Sequence, residues 1–197
     1  MKKLVLTFLL VGALLIGTAC GLENRGTSEY ENLEKLLSKR LEIQIQIPHH
    51  ETYPIGSAQI KYGLKVEDGK PQKGEPVGAT VNYLVAKTEK IQMSEEQLAH
   101  LLENNRSELV YGDFYHDDTV ITVELFKDGL GEIASVDIIE IEGESVQYQL
   151  LKTDHVDAVL LGFDFEGVGY IVLYQLIEGN TEEDAIQFVK FFINQNR

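Results

Sequence analysis

Hydrophobic residues recur along the chain at two spacings, about 3.6 residues and two residues, and each spacing predicts a type of element. Leucines at the first spacing predict a helix over 29–40, which Ser28 and Glu31 begin as a capping box. The spacing becomes two in the next segment, "LEIQIQIP" at 41–48. Such alternation is typical of a half-buried strand, and Pro48 is expected to end it.

Two further helices are predicted from capping residues followed by apolar positions at helical spacing. Ser94 and Gln97 form a capping box for a helix that ends near 104–105. Thr181 and Asp184 begin the last helix of the chain. The buried stripe of that helix is predicted to contain Ala185, Ile186, Val189, Phe192 and Ile193, widened by Phe188 and Phe191.

Strands are predicted wherever apolar and polar residues alternate. Two alternating runs cover 58–66 and 77–85, and the Gly- and Pro-rich segment 67–76 between them is predicted to be a turn. Short connections separate six later strands, which favours antiparallel hairpins. These strands have the sequences "ELVYG", "TVITVELFK", "IASVDIIEIE", "SVQYQLL", "AVLLGFDF" and "VGYIVLYQLI". The last of them is apolar on both faces, which predicts a central strand covered by the C-terminal helix.

These elements together predict an α+β fold, an antiparallel sheet with helices packed on one face. We expect residues 29–197 to form a single domain, preceded by a short tether over 20–28. A domain boundary near 90–106 stays open as an alternative.

The first 19 residues have the pattern of an export signal. Two lysines precede the apolar run "LVLTFLLVGALLIG", and small residues then lead to Cys20, the only cysteine of the chain. The run is shorter than the roughly 20 residues that a transmembrane helix needs. We therefore expect a signal peptide over 1–19 that is removed from the mature protein.

The segment Gly17-Thr18-Ala19-Cys20 resembles the lipobox of bacterial lipoproteins of the Gram-positive type. The resemblance implies that Cys20 carries a lipid and that the protein is anchored at the extracytoplasmic face of the cell membrane. Two acyl chains give stable anchoring, whereas one gives only marginal binding. The alternative is an ordinary secretory peptide that happens to end at a cysteine.

The charge of the chain excludes some partners. The formal net charge is −15, and loss of the signal with its two lysines leaves 15 basic residues against 32 acidic ones, a charge of −17. Such a surface repels the phosphates of nucleic acids and anionic lipid headgroups. We expect no nucleic-acid binding, and no membrane contact beyond the lipid anchor. With a single cysteine, no disulfide is expected to stabilise the domain.

The C-terminal third is similar to an uncharacterised domain of Gram-positive lipoproteins and of sporulation or anti-sigma-associated proteins. Gly143, Tyr148, Gly167 and Tyr170 are the residues that match its pattern of a strand pair, a hairpin and an acidic-start helix. The resemblance implies a non-enzymatic accessory or sensory role. It assigns no functional residue.

Motifs with known chemistry are absent from the sequence, which contains no G-x-S-x-G, H-E-x-x-H or C-x-x-C. We expect no cofactor and no enzymatic activity. The weak metal candidates are Asp113, His116, Asp117 and Asp118, oxygen and nitrogen ligands in one loop between two strands. The loop lacks the glycine and distal glutamate of an EF-hand, so we expect a hairpin turn without a tight metal site. The run His49-His50-Glu51 is likewise expected to be an exposed loop.

Three classes of function remain open from the sequence. The first is a non-catalytic surface lipoprotein that binds a partner, such as an envelope protein, or senses an envelope condition. The second is a carrier for a small or apolar ligand, and the third is an envelope hydrolase with an acidic site. Phe188 and Phe191 are the candidate ligand-binding residues, because they widen the apolar face of the last helix beyond one buried stripe. The alternative is that these rings pack under neighbouring loops.

Overall fold

The structure is a computed structural model that describes residues 23–85, 92–115, 119–177 and 179–197. Within these ranges the chain forms three helices and eight strands. The helices are α1 (Glu23–Leu41), α2 (Glu95–Asn104) and α3 (Glu182–Gln195). The strands are β1 (Ile55–Glu67), β2 (Lys70–Leu84), β3 (Ser107–Gly112), β4 (Thr119–Phe126), β5 (Asp137–Ile141), β6 (Glu144–Leu151), β7 (Ala158–Phe165) and β8 (Val168–Gln175).

All eight strands belong to one open antiparallel sheet in the order β3-β1-β2-β4-β8-β7-β6-β5. The predicted α+β class and the antiparallel pairing are confirmed. Strand β8 lies in the middle of the sheet between β4 and β7, as its apolar composition predicts. The hairpins β5–β6, β6–β7 and β7–β8 follow the short connections read from the sequence.

The core lies on the face of the sheet that α1 and α3 cover. Helix α1 contributes Leu33, Leu37 and Leu41, all of which are buried. Helix α3 places the ring of Phe192 against Tyr170 of β8, with ring centroids 5.1 Å apart. Burial of such aromatic and branched side chains removes most of their apolar surface from water, which is the dominant favourable contribution to folding.

Helix α1 begins earlier than the sequence predicts, at Glu23 and not at residue 29. Ser28 therefore lies inside the helix, and the prediction that it caps the N-terminus is wrong. A Ser-x-x-Glu pattern marks a helix start only where the preceding residues leave the helical conformation. Here those residues continue it.

The predicted strand at 41–48 is also wrong, although its alternation is real. Leu41 ends α1, and the following segment is extended but pairs with none of the described strands. Ile45 and Ile47 are buried, yet their backbone N–H groups donate to side chains of α1 and not to a neighbouring strand. Burial of every second residue predicts an extended chain, but it does not show which groups form hydrogen bonds with the backbone N–H and C=O groups.

Strands β1 and β2 extend beyond the sheet as a two-stranded ribbon. The segment 67–76, predicted to be a turn, is mostly strand, and only Asp68 and Gly69 form the turn. Strand β4 pairs with β2 only from Gly78 onward, so no other strand in the described ranges pairs with the outer edge of the ribbon. Pro71 and Pro76, which lack an N–H group to donate, are tolerated there. The apolar side chains Leu64 and Val66 on this ribbon are 58% and 62% exposed.

The predicted starts of α2 and α3 are confirmed. Ser94 and Gln97 make both bonds of a capping box, and so do Thr181 and Asp184. The predicted strand at 133–142 is shorter in the structure, where only Asp137–Ile141 is paired. In the part of the chain that the structure describes, no helix is both long and apolar enough to cross a bilayer.

Candidate functional site

The segment "PHHETYP", residues 48–54, separates two open clefts on the helix-covered side of the molecule. Two hydrogen bonds hold its ends. The Tyr83 hydroxyl donates to the carbonyl of Pro48, and the N–H of Leu84 donates to the carbonyl of Pro54 at 3.0 Å. Both donors lie at the end of β2, so the sheet itself positions this segment.

His50 organises the turn inside this segment. Its Nδ1 accepts hydrogen bonds from the N–H groups of Thr52 and Tyr53, both at 3.1 Å, and its Nε2 lies 3.4 Å from the Tyr174 hydroxyl. Since Nδ1 accepts two N–H groups, it carries no proton, and the imidazole is neutral with its hydrogen on Nε2. Burial lowers the pKa of His50, and His49 lowers it further, against opposing effects of the carboxylates of Glu51 and Asp184.

Both histidines line both clefts, but they pack on different aromatic rings. The ring of His49 lies 4.6 Å from that of Tyr30 on α1. The ring of His50 lies 4.6 Å from that of Tyr53 and 5.5 Å from that of Phe188 on α3. The predicted exposed loop is therefore correct for His49 and Glu51, whereas His50 is half-buried among aromatic side chains.

The first cleft lies beside the N-terminal half of α1, and we call it the α1 cleft. Its volume is about 410 Å³. On one side the Tyr111 hydroxyl donates to the carboxylate of Glu29, and burial raises the pKa of Tyr111, with Glu29 adding to the effect. Burial raises the pKa of Tyr30 to about 12, although a hydrogen bond with the backbone of His50 partly opposes this rise. The walls of the α1 cleft comprise Glu29, Tyr30, Leu33, His49, His50, Glu51, Thr52, Pro54, Ile55 and Tyr111.

The second cleft lies beside α3, and we call it the α3 cleft. Its volume is about 320 Å³. The Tyr53 hydroxyl donates to the side-chain oxygen of Asn180 at 2.9 Å, which joins the 48–54 segment to the start of α3. Its walls comprise His49, His50, Glu51, Thr52, Tyr53, Tyr174, Asn180, Asp184, Gln187, Phe188 and Phe191.

The structure brings the two predicted ligand-binding residues together in the α3 cleft, in different environments. Phe188 is only 5% exposed and packs edge-on against Tyr83. Phe191, one turn of α3 further along, is 40% exposed. One ring thus completes the core while the other presents apolar surface to solvent at the cleft.

Carboxylates are the charged groups of both clefts. Glu29 and Glu51 line the α1 cleft, and Glu51 and Asp184 line the α3 cleft. In the ranges that the structure describes, neither wall contains a lysine or an arginine. Hydrogen bonds from the Thr181 side chain and backbone lower the pKa of Asp184. The Asp184 carboxylate is therefore stabilised in its charged form beside the α3 cleft.

The predicted weak metal candidates give no assembled site in the described residues. Asp113 follows β3 and is exposed, with its N–H donating to the carbonyl of Gly56 at 3.1 Å. His116, Asp117 and Asp118 lie outside the described residues. Across the described ranges, no group of three His, Cys, Asp or Glu side chains is close enough to hold a metal ion.

A second polar cluster joins α1 to the base of the ribbon. The Arg40 guanidinium donates to the Tyr62 hydroxyl and to the Glu108 carboxylate, both at 2.6 Å, and Tyr62 also donates to Glu108 at 2.6 Å. Lys73 lies 3.7 Å from the Glu108 carboxylate and 3.7 Å from the centre of the Tyr62 ring. The cluster connects α1 with β1, β2 and β3, and its charged groups pair with one another.

Sequence reasoning missed the tyrosines of the two clefts, Tyr30, Tyr53, Tyr111 and Tyr174. Each lies in a different element, so no local motif could connect them. Comparison of the chain with protein-family models, with curated proteins and with solved structures finds no match. The geometry of the clefts is therefore the basis for the function proposed below.

Proposed function

We propose that the mature chain is a lipoprotein, anchored by a lipid on Cys20 at the extracytoplasmic face of the cell membrane, which acts by binding and not by catalysis. The lipobox-like segment before Cys20 supports the anchor. The α3 cleft supports the binding role, because it places exposed aromatic surface beside a concave wall. Exposed Phe191 at this cleft is the observation that carries the proposal.

Phe191 faces solvent although the buried face of α3 is complete without it. Five residues of α3 are buried in the core, namely Ala185, Phe188, Val189, Phe192 and Ile193. This stripe already supplies the apolar face that a surface helix needs. Aromatic residues, phenylalanine among them, are enriched in the cores of protein interfaces relative to the rest of the surface.

The groups beside the clefts favour binding over catalysis. The Nδ1 atom of His50 is occupied by two backbone N–H groups, and Nε2 faces the Tyr174 hydroxyl. An imidazole with both nitrogens engaged is poorly placed to move a proton on a substrate. Asp184 is engaged in the cap of α3 through Thr181. An envelope hydrolase is the less favoured function.

A carrier for a small ligand is the second candidate, and the size of the clefts favours it. Small-molecule sites begin at about 300 Å³, and the two clefts measure about 320 and 410 Å³. Both are open to solvent, whereas a carrier of apolar ligands is expected to enclose them. The geometry therefore fits a surface on which part of a ligand or partner stays exposed.

The test is a fragment screen by ligand-observed NMR on the full chain, purified in an uncharged detergent. The library contains neutral, cationic and anionic fragments. We expect hits whose binding is lost in Phe191→Ala but retained in Ile138→Ala, a matched truncation of an exposed residue on β5. Binding that is equal in both variants, or no binding at all, would contradict a binding site at the α3 cleft.

A further inference from the structure

The α3 cleft combines aromatic rings with carboxylates. Tyr53, Tyr174, Phe188 and Phe191 contribute to its walls, and of these four Phe191 is the exposed one, at 40%. Glu51 lies on the 48–54 segment and Asp184 on the first turn of α3, so the two carboxylates approach the cleft from different elements. An exposed aromatic ring beside two carboxylates limits the classes of ligand that the cleft can bind favourably.

Among the described residues, no lysine or arginine side chain lines the cleft to neutralise these carboxylates. The described lining also contains the imidazoles of His49 and His50, and the N–H groups of Thr52 and Tyr53 hold His50 in its neutral form. The cleft is therefore a negatively charged site with aromatic walls.

Three classes of ligand differ in their energetics at such a site. An anion is repelled by Glu51 and Asp184, and by a mature chain with a formal charge of −17. A neutral apolar ligand gains contact with Phe191, but it displaces water from the carboxylates without replacing their hydrogen bonds. A cation replaces that water with charge-assisted hydrogen bonds, and it is attracted to the face of an aromatic ring.

We propose that the α3 cleft binds an organic cation, an ammonium or guanidinium group carried either by a free amine or by a basic side chain of a peptide. The inference rests on the proposed binding function, since it names the ligand chemistry of the same cleft. A volume of about 320 Å³ accommodates one such group with its alkyl stem. The acidic surface around the cleft also raises the local concentration of cations.

The experiment compares isosteric ligands that differ in charge. The full chain in uncharged detergent is titrated at 0.15 M salt, followed by ligand-observed NMR. The peptide arm uses the blocked tripeptides Gly-Arg-Gly and Gly-citrulline-Gly, because citrulline has the shape of arginine without its charge. The amine arm uses butylammonium and 1-butanol. We expect each cation to bind at least about fivefold more tightly than its neutral counterpart.

Variants of the cleft separate the ring from the charge. Phe191→Leu keeps apolar surface but removes the ring, so it should weaken the cation more than the neutral ligand. Glu51→Gln removes one carboxylate from an exposed position and should also weaken the cation selectively. Glu132→Gln makes the same charge change on an exposed loop outside the cleft walls and should leave both affinities unchanged.

The outcomes distinguish this inference from the proposed function. If citrulline and butanol bind as tightly as their charged counterparts and still depend on Phe191, the cleft binds ligands but the preference for cations is wrong. If the Glu132→Gln variant loses as much affinity as Glu51→Gln, the attraction is general to the acidic surface and the inference is also wrong. If no fragment of any charge binds, both proposals fail. Cation-selective binding in the peptide arm identifies a basic side chain as the ligand, and selectivity confined to butylammonium identifies a free amine.

Discussion

The carboxylate of Glu34 on α1 accepts a hydrogen bond from the backbone N–H of Ile47 at 2.9 Å. The Ser38 hydroxyl accepts in the same way from the N–H of Ile45 at 2.9 Å. Side chains of one helix thus take the place of a neighbouring strand for the extended segment that follows it. This arrangement leads the chain from α1 to the 48–54 segment between the two clefts.

Glu34→Ala is expected to destabilise the domain. The substitution leaves the N–H of Ile47 without its acceptor beside a buried side chain, which costs about 1–3 kcal/mol of unfolding free energy. Glu34→Gln should retain most of the stability, because the amide oxygen accepts the same bond. Urea unfolding of the three proteins measures the difference.

Glu31→Ala is the matched control for Glu34. Its carboxylate pairs at 3.6 Å with Lys35 on the exposed face of α1, so its loss should change the unfolding free energy by no more than about 0.5 kcal/mol. Equal effects of Glu31→Ala and Glu34→Ala would show that the bond to Ile47 contributes nothing specific.

Acid should weaken the turn that His50 organises. Burial, followed by His49, lowers the pKa of His50 from 6.5, so the unfolded chain binds a proton more readily than the folded one. The free energy of unfolding should therefore fall as the pH drops below about 6.5. The measurement is urea unfolding at pH 7.5 and 5.5.

His50→Asn keeps the acceptor and removes the titration. An asparagine oxygen readily accepts the N–H of the residue two positions on, as His50 now accepts that of Thr52. The variant should remain folded and lose less stability between pH 7.5 and 5.5 than the parent. The same loss in both proteins would rule out His50 as the source of the acid sensitivity.

Replacement of Cys20 should release the protein from the membrane. The parent is expected in the membrane fraction with incorporated labelled fatty acid, because two acyl chains give stable anchoring. Cys20→Ser removes the acceptor of the lipid and should lose the label, whereas Phe191→Ala should behave as the parent. A Cys20→Ser protein that remains labelled and membrane-bound would disprove the lipid anchor.

We expect no tight calcium site at the acidic loop of Asp113, Asp117 and Asp118. Interaction with a general acidic surface is screened by salt, so the calorimetric signal should fall between 0.01 and 0.15 M salt, because the Debye length shortens roughly threefold or more over that range. Asp113→Ala and Asp117→Ala should change the signal little. Micromolar, stoichiometric binding that Asp117→Ala abolishes would establish a metal site.

Local signals predicted much of the fold. The caps at Ser94 and Thr181 and the alternation in β4 and β8 specify their elements through contacts a few residues apart, and the structure contains each of them. The predictions failed where the deciding contact is distant in sequence. The conformation of segment 41–48 depends on hydrogen bonds to side chains of α1. The ribbon forms where β2 extends beyond its pairing with β4.

The site was less predictable than the fold for the same reason. Phe188 and Phe191 could be singled out because α3 has more apolar residues than one face requires. The clefts around them also need Tyr53, Tyr174 and Asn180, which three separate elements bring together. His50 bonds to the N–H groups of Thr52 and Tyr53, which are close in sequence. Its burial, which also favours the neutral imidazole, involves Phe188 of α3, which is far away in sequence.

Helix α1 extends from the α1 cleft to the base of the β1–β2 ribbon. Glu29 near its start bonds to Tyr111 beside the α1 cleft, and Arg40 near its end bonds to Tyr62 at the base of the ribbon. Strand β1 runs from Ile55 at the α1 cleft to Glu67 at the tip of the ribbon, which is roughly 40 Å at about 3.3 Å per residue. If Cys20 holds the chain at a bilayer, the anchor joins the end of α1 that lies at the clefts, and the exposed side chains Leu64 and Val66 lie toward the opposite end of the molecule.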